Sequence, residues 1–248
     1  MSICPFAISI PGPDWKRGYS GQNITHTKTG IVIHSAEYES EWDEKVLHNA
    51  LHSGRIASWH YTVTQPPFMF VFEHYPPETT CWHAGYPANL WTVGIECEGI
   101  APDKIDGQQY ELVVKLIRWL QGHRGWSWPW GIGRAADRNL WLASGPTLWE
   151  HNEAQEAYTD CQVFSRHMID PLKLIQDLKE EPVAFTEEQR QEINKIAQFN
   201  RLELDARMAV EAEILRAVAA VKEGDWRTLP AHLALIEGKA KTWHRWPG

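Results

Sequence analysis

The 248-residue sequence predicts an α/β (α+β) domain, a mixed central β-sheet flanked by helices, followed by a small all-α region. Three observations carry this expectation. Short runs rich in β-branched and aromatic residues recur through the first two thirds of the chain, as strands require. Between and after them, apolar residues fall at the three- and four-residue steps of amphipathic helices that need a sheet to cover. From 186 to 223 the sequence has no Gly or Pro, so sheet and turn signals stop together there.

The predicted strands are 30–34 (Gly-Ile-Val-Ile-His), 61–64 (Tyr-Thr-Val-Thr), 68–72 (Phe-Met-Phe-Val-Phe) and 92–97 (Thr-Val-Gly-Ile-Glu-Cys). A helix is predicted over 41–52 from Trp42, Val46, Leu47 and Leu51, and another over 107–122 from Leu112, Val113, Leu116, Ile117 and Leu120. The charged stretch Lys179-Glu180-Glu181-Pro182 separates two compositional regimes, which places a first domain at 1–178, a linker at 179–185 and a helical domain at 186–248. Ile193, Ile196, Phe199, Leu204, Met208, Leu215, Val218 and Val221 predict one long amphipathic helix over 186–223, reaching on the order of 55 Å. Gly224-Asp225 ends it, and 229–243 reads as a second helix. An apolar stripe of that length needs a partner surface, so the hairpin is expected to pack on the first domain or to form a coiled-coil homodimer.

A net charge of −8, and no basic cluster interleaved with aromatics, disfavour nucleic acid as a partner. No window approaches the ~18 apolar residues of a membrane span, so no membrane insertion is expected. Residues 1–13 lack a basic start, and Pro5 and Pro11 interrupt their apolar stretch; this predicts no secretory signal and synthesis in the cytoplasm. The four cysteines, at 4, 81, 97 and 161, are too scattered for a disulfide framework and read as free thiols or metal ligands. The fourteen tryptophans read mostly as core. The glycines of 125–133 lack the Lys-Ser/Thr ending of a phosphate loop, which leaves an aromatic loop.

His34 ends an apolar strand and is followed by small polar residues, which aims its imidazole out of the sheet's edge. His151 and Cys161 lie in a polar stretch unsuited to a core. Such residues are the usual donors of a catalytic zinc site, which has three protein ligands and an open position. Taken singly, each also fits an ordinary packed residue.

The series as a whole resembles the zinc-dependent N-acetylmuramoyl-L-alanine amidases of the type-2 amidase and peptidoglycan-recognition-protein superfamily. Its parts are Ile31-Val32-Ile33-His34-Ser35-Ala36, Ser58-Trp59-His60-Tyr61, Trp82-His83-Ala84-Gly85, Val93-Gly94-Ile95-Glu96-Cys97-Glu98-Gly99, and His151 with Thr159-Asp160-Cys161. They occur in the family's order across most of the first domain, and within the family the likeness is to phage endolysins. The resemblance implies that His34, His151 and Cys161 hold Zn2+, with Cys161 as thiolate. It also implies a base, either a tyrosine before the second-motif histidine or a glutamate in the Gly-Ile-Glu strand. Trp59 stands in the tyrosine's place and offers only an N–H donor, so the role falls to Glu96. Alternation along the strand puts Glu96 on the face opposite Ile95 and Cys97. Thr159 matches the position where relatives stabilise the oxyanion. His83 is expected to line the substrate groove, with Trp59, Asn89 and Trp91 as walls, and His60 to support the fold.

The resemblance implies an enzyme that hydrolyses the amide between N-acetylmuramic acid and L-alanine in bacterial peptidoglycan. An endolysin acting on the cell wall after release is the expected biology. An intracellular muropeptide-recycling amidase and a non-catalytic peptidoglycan binder on the same fold are the alternatives. Loss of the cysteine marks the binding branch, and Cys161 is present. A purely structural zinc site would recruit a fourth protein ligand.

Overall fold

In a computed structural model, residues 4–180 are described except 19–24, 38–50, 52–53, 55, 67–68, 106, 124–129, 141–145 and 156–160. The chain divides into two units, Met1–Pro182 and Val183–Gly248. The predicted helices over 186–223 and 229–243 lie outside the described residues, as does all of the predicted 41–52 helix but its end, where Leu51 is buried.

Six strands form one sheet among the described residues: β1 (Ile8–Ser9), β2 (Gly30–Ser35), β3 (Tyr61–Val63), β4 (Val71–Glu73), β5 (Thr92–Cys97) and β6 (Leu148–Glu150). Their order is β1-β4-β3-β5-β2-β6. β3 and β4 are antiparallel, and every other pair is parallel, which makes the sheet mixed, as the sequence predicts. The helices are α1 (Ala88–Trp91), α2 (Gly107–Gly122), α3 (His151–Ala154) and α4 (Pro171–Lys179).

Alternation along the strands separates two faces. Ile31 and Ile33 of β2, Tyr61 and Val63 of β3, Val93, Ile95 and Cys97 of β5 and Leu148 of β6 enter the main core. There they meet Val113, Leu116, Ile117 and Leu120 of α2 and Leu174 and Leu178 of α4. Burial at this density, at about 1.5–3 kcal/mol per large apolar side chain, is the main favourable term holding the layers together. The α2 residue Gln109 is also buried, and its amide donates to the carbonyls of Val63 (3.1 Å) and Glu98 (2.9 Å) where β3 and β5 end. The N-cap of α4 is Asp170, whose carboxylate accepts from the amides of Leu172 and Lys173, with Pro171 at the first helical position. Tyr110 on α2 donates to Asp177 on α4 at 2.6 Å.

The predicted 68–72 strand is displaced to Val71–Glu73. Met69 has a left-handed backbone (φ 50°), and Thr64 and Phe70 hydrogen-bond across the turn at 2.9 Å; Phe70 therefore belongs to the hairpin's closing turn. No helix among the described residues is long and apolar enough to cross a membrane.

Candidate metal centre

The second face of the sheet carries the chemistry. His34 on β2 pairs with Glu96 on β5, and Glu96 pairs with Thr62 on β3, so the three side chains stand in one row on the face away from the main core. His151 begins α3 directly after β6, the strand beside β2. Cys161 approaches the same point from a later segment. The ligating atoms of His34, His151 and Cys161 all lie within 4.8 Å of one another. Cys161 Sγ is 3.4 Å from His34 Nδ1, and the rings of His34 and His151 cross edge to face with centroids 4.7 Å apart.

These spacings suit a tetrahedral ion. Bonds of about 2.0–2.1 Å to nitrogen and 2.3 Å to sulfur separate neighbouring donor atoms by roughly 3.3–3.6 Å. A set of two imidazoles and one thiol is soft enough to select zinc over magnesium or calcium. Burial holds both His34 and His151 below the usual histidine range, which keeps them neutral and available as donors. Burial, aided by the charge of Glu96, raises the Cys161 thiol well above its ordinary value, so this sulfur would ionise only beside a cation. The backbone N–H of Ser35 donates to Cys161 Sγ at 3.2 Å and is placed to stabilise that charge.

His83 is buried, and its Nδ1 lies 3.2 Å from His34 Nε2. His34 therefore donates Nε2–H to His83 and presents Nδ1 to Cys161 and His151. His83 in turn directs Nε2 toward the carbonyl of Thr92 at 3.4 Å. Asn89 is buried beside it, with Oδ1 accepting from the amides of His83 (3.0 Å) and Ala84 (2.8 Å). Trp59 packs with Leu51, Tyr75 and Cys81 and donates Nε1–H to Thr62 Oγ1 at 2.8 Å. Trp59, His83 and Asn89, expected to line a substrate groove, are buried to the same degree as His34 and Cys161. The hydrogen bonds of Trp59 Nε1, His83 and Asn89 Oδ1 are made to the protein's own loops and strands beside the row. Trp91 is half-buried and packs against the small cluster of Val32, Ala84, Ala88, Trp149 and Ala154. His60 supports the fold: Nε2 donates to the Thr79 carbonyl (2.8 Å), and Nδ1 accepts from Gly94 N–H (2.9 Å). Thr159 lies outside the described residues.

Gly94 explains one letter of the Gly-Ile-Glu run. A Cβ there would lie 2.7 Å from Cγ of His83, so only glycine lets the ring lie flat enough on β5 to reach His34. Gly94→Ala is expected to destabilise the domain by about 1–3 kcal/mol through overpacking, seen as a lowered Tm in thermal melting.

Glu96 is half-buried, and burial together with the nearby Glu37 carboxylate pushes it up to about 8. A carboxyl group tuned toward neutrality beside three convergent donors is the pattern of an acid-base catalyst. Glu37 itself has a left-handed backbone (φ 55°), a strained conformation for glutamate. Its carboxylate pairs with Ser35 Oγ and with Arg166 at 3.9 Å. Sequence reading missed Glu37, whose only signal is a carboxylate three residues after His34. It also missed Arg138, which caps α3 by donating to the carbonyls of Asn152 (2.8 Å), Glu153 (2.7 Å) and Gln155 (2.6 Å).

Residues 25–162 match the family model of N-acetylmuramoyl-L-alanine amidase, more than half of the chain and all of the site. The chain belongs to this amidase family. Among solved structures similar to the amidase, PlyL is 14% identical with a TM-score of 0.51, over 71% of this chain and 99% of that one. N-acetylmuramoyl-L-alanine amidase LysC from Clostridium intestinale URNW is 16% identical with a TM-score of 0.48, over 72% of this chain and all of that one. At such identities the likeness to PlyL speaks to the fold of the amidase alone. No curated protein matches the chain.

Proposed function

We propose that this peptidoglycan amidase is a zinc enzyme of the endolysin type, with His34, His151 and Cys161 as the ligands and Glu96 as general base. The observation that carries the reading is the convergence of the three donor atoms within 4.8 Å, in register with Glu96 across β2 and β5. Zinc, when bound, would lower the pKa of water toward ~7 and polarise the amide carbonyl.

The chain's own residues supply the rest. Glu96 takes a proton from the attacking water onto a carboxylate oxygen as the water oxygen bonds to the lactyl carbonyl carbon. It then returns that proton to the L-alanine nitrogen as the C–N bond breaks, leaving a muramic carboxylic acid and a free amine. His83 and Ser35 N–H hold the ligands in orientation. Thr159, two residues before Cys161, is assigned to stabilise the oxyanion.

The endolysin assignment over a recycling role rests on the sequence after the linker at 179–185. A 186–248 helical domain of amphipathic pattern suits wall attachment or self-association, whereas soluble muropeptides need neither. This is argument by analogy of organisation.

The test is to incubate the protein, as purified and after chelation, with bacterial sacculi and with soluble muramyl-peptide. Products are then read by mass spectrometry. Stem peptides with L-alanine amino termini should appear, vanish on chelation and return with zinc, with sacculi preferred over soluble fragments. Activity that survives complete metal removal would end the zinc reading, and preference for soluble fragments would favour the recycling role.

A further inference from the structure

We propose that Glu150 is a positioning residue for the metal centre, a buried carboxylate that sets the distance between the segments carrying His151 and Cys161. The inference rests on the reading that these two residues hold zinc. It starts from a residue type in the wrong place: Glu150 is fully buried on β6, on the same face as Leu148, which packs in the main core. An apolar side chain would fit such a position at no electrostatic cost, whereas a buried carboxyl group costs several kcal/mol unless its oxygens are hydrogen-bonded.

Here both oxygens are engaged, and all donors come from one place. Glu150 Oε2 accepts the backbone N–H of Phe164 and of Ser165, each at 2.9 Å, and Oε1 accepts the Ser165 hydroxyl. Glu150 immediately precedes His151, and Phe164 lies three residues after Cys161. Local backbone geometry does not determine the separation of two ligands ten residues apart. One carboxylate gripping two consecutive amides and a hydroxyl does, because such bonds are short and directional. Val163 and Phe164 are buried in the main core, so the segment is held by packing as well as by Glu150. Support of this kind behind metal ligands typically governs 10–100-fold in metal affinity.

The experiment measures zinc affinity of the full-length protein by competition with a chromophoric chelator, alongside thermal melting. Glu150→Leu removes every acceptor and is expected to weaken zinc binding by about 10–100-fold. Glu150→Gln is expected to retain most of the affinity, since its amide oxygen can still accept both N–H groups and its NH2 can donate to Ser165 Oγ. Leu116→Ala, a core truncation on α2, is the control for stability loss alone, and should leave zinc affinity unchanged despite a lower Tm. If Glu150→Leu does not fold, Ser165→Ala decides, with a loss of up to about tenfold expected. Zinc binding unchanged in Glu150→Leu (or in Ser165→Ala where that variant decides), or weakened as much by Leu116→Ala, would overturn the positioning role. A wild-type protein that takes up no zinc would instead overturn the metal reading beneath it.

Discussion

Cys161→Ser is expected to abolish amidase activity, by roughly 10³-fold or more, and to remove tight zinc binding while leaving the fold intact. The substitution changes one atom in a side chain that is 7% exposed, so packing around it survives. What is lost is the sulfur that approaches His34 Nδ1 at 3.4 Å and the negative charge it acquires beside a cation. A buried hydroxyl does not ionise in its place, and two neutral imidazoles alone hold zinc weakly. Since several kcal/mol of charge stabilisation disappear with the ion, three or more decades of rate follow. Zinc content by elemental analysis and turnover on sacculi check the two losses together, and circular dichroism checks the fold. A Cys161→Ser protein that keeps both zinc and turnover would show that Cys161 is not a ligand.

Glu96→Gln is expected to separate chemistry from metal binding. The amide nearly matches the carboxyl group in size and keeps its place between His34 and Thr62 in the sheet, but it cannot accept a proton from water. Activity should fall about 10²–10⁴-fold, the usual contribution of a positioned general base, with one zinc still bound per chain. Removing the carboxylate also removes a charge that disfavours the Cys161 thiolate, so zinc affinity should hold or rise. The contrast between the two variants is the informative result: Cys161→Ser loses metal and rate, Glu96→Gln loses rate alone. Equal turnover in Glu96→Gln and wild type would move the base elsewhere, with Glu37 the nearest alternative carboxylate in the same neighbourhood.

How much of this was legible in the sequence depends on the range of the interaction involved. The helix over 107–122 and the strands ending in His34 and Cys97 were readable because their apolar residues repeat at the period of the element, and burial follows period. The same alternation put Glu96 on the face opposite Ile95, and β5 bears that out. The short strands β1 and β6, of two and three residues, carry no period at all and exist only because β4 and β2 offer them an open edge.

The polar residues divide in the same way. The order and spacing of His34, Glu96, His151 and Cys161 made the donor set visible as chemistry, since few other arrangements bring two histidines, a cysteine and a glutamate into one family pattern. Their neighbours in the motifs, Trp59, His83 and Asn89, read as groove walls, and the structure adds that each is buried and hydrogen-bonded within the domain. Whether a tryptophan or a histidine faces solvent or supports a neighbour is decided by which loop lies across it, here the 83–89 loop pinned by Asn89 and the Gly94 backbone that admits the His83 ring. Glu150 was silent for the same reason, because its partners lie 14 and 15 residues further along the chain. The sequence by itself determined which candidate donors and acids the domain carries, which is a matter of side-chain chemistry. The tertiary structure decided their spacing and their supports, because a hydrogen bond between distant segments exists only once the sheet has brought those segments together.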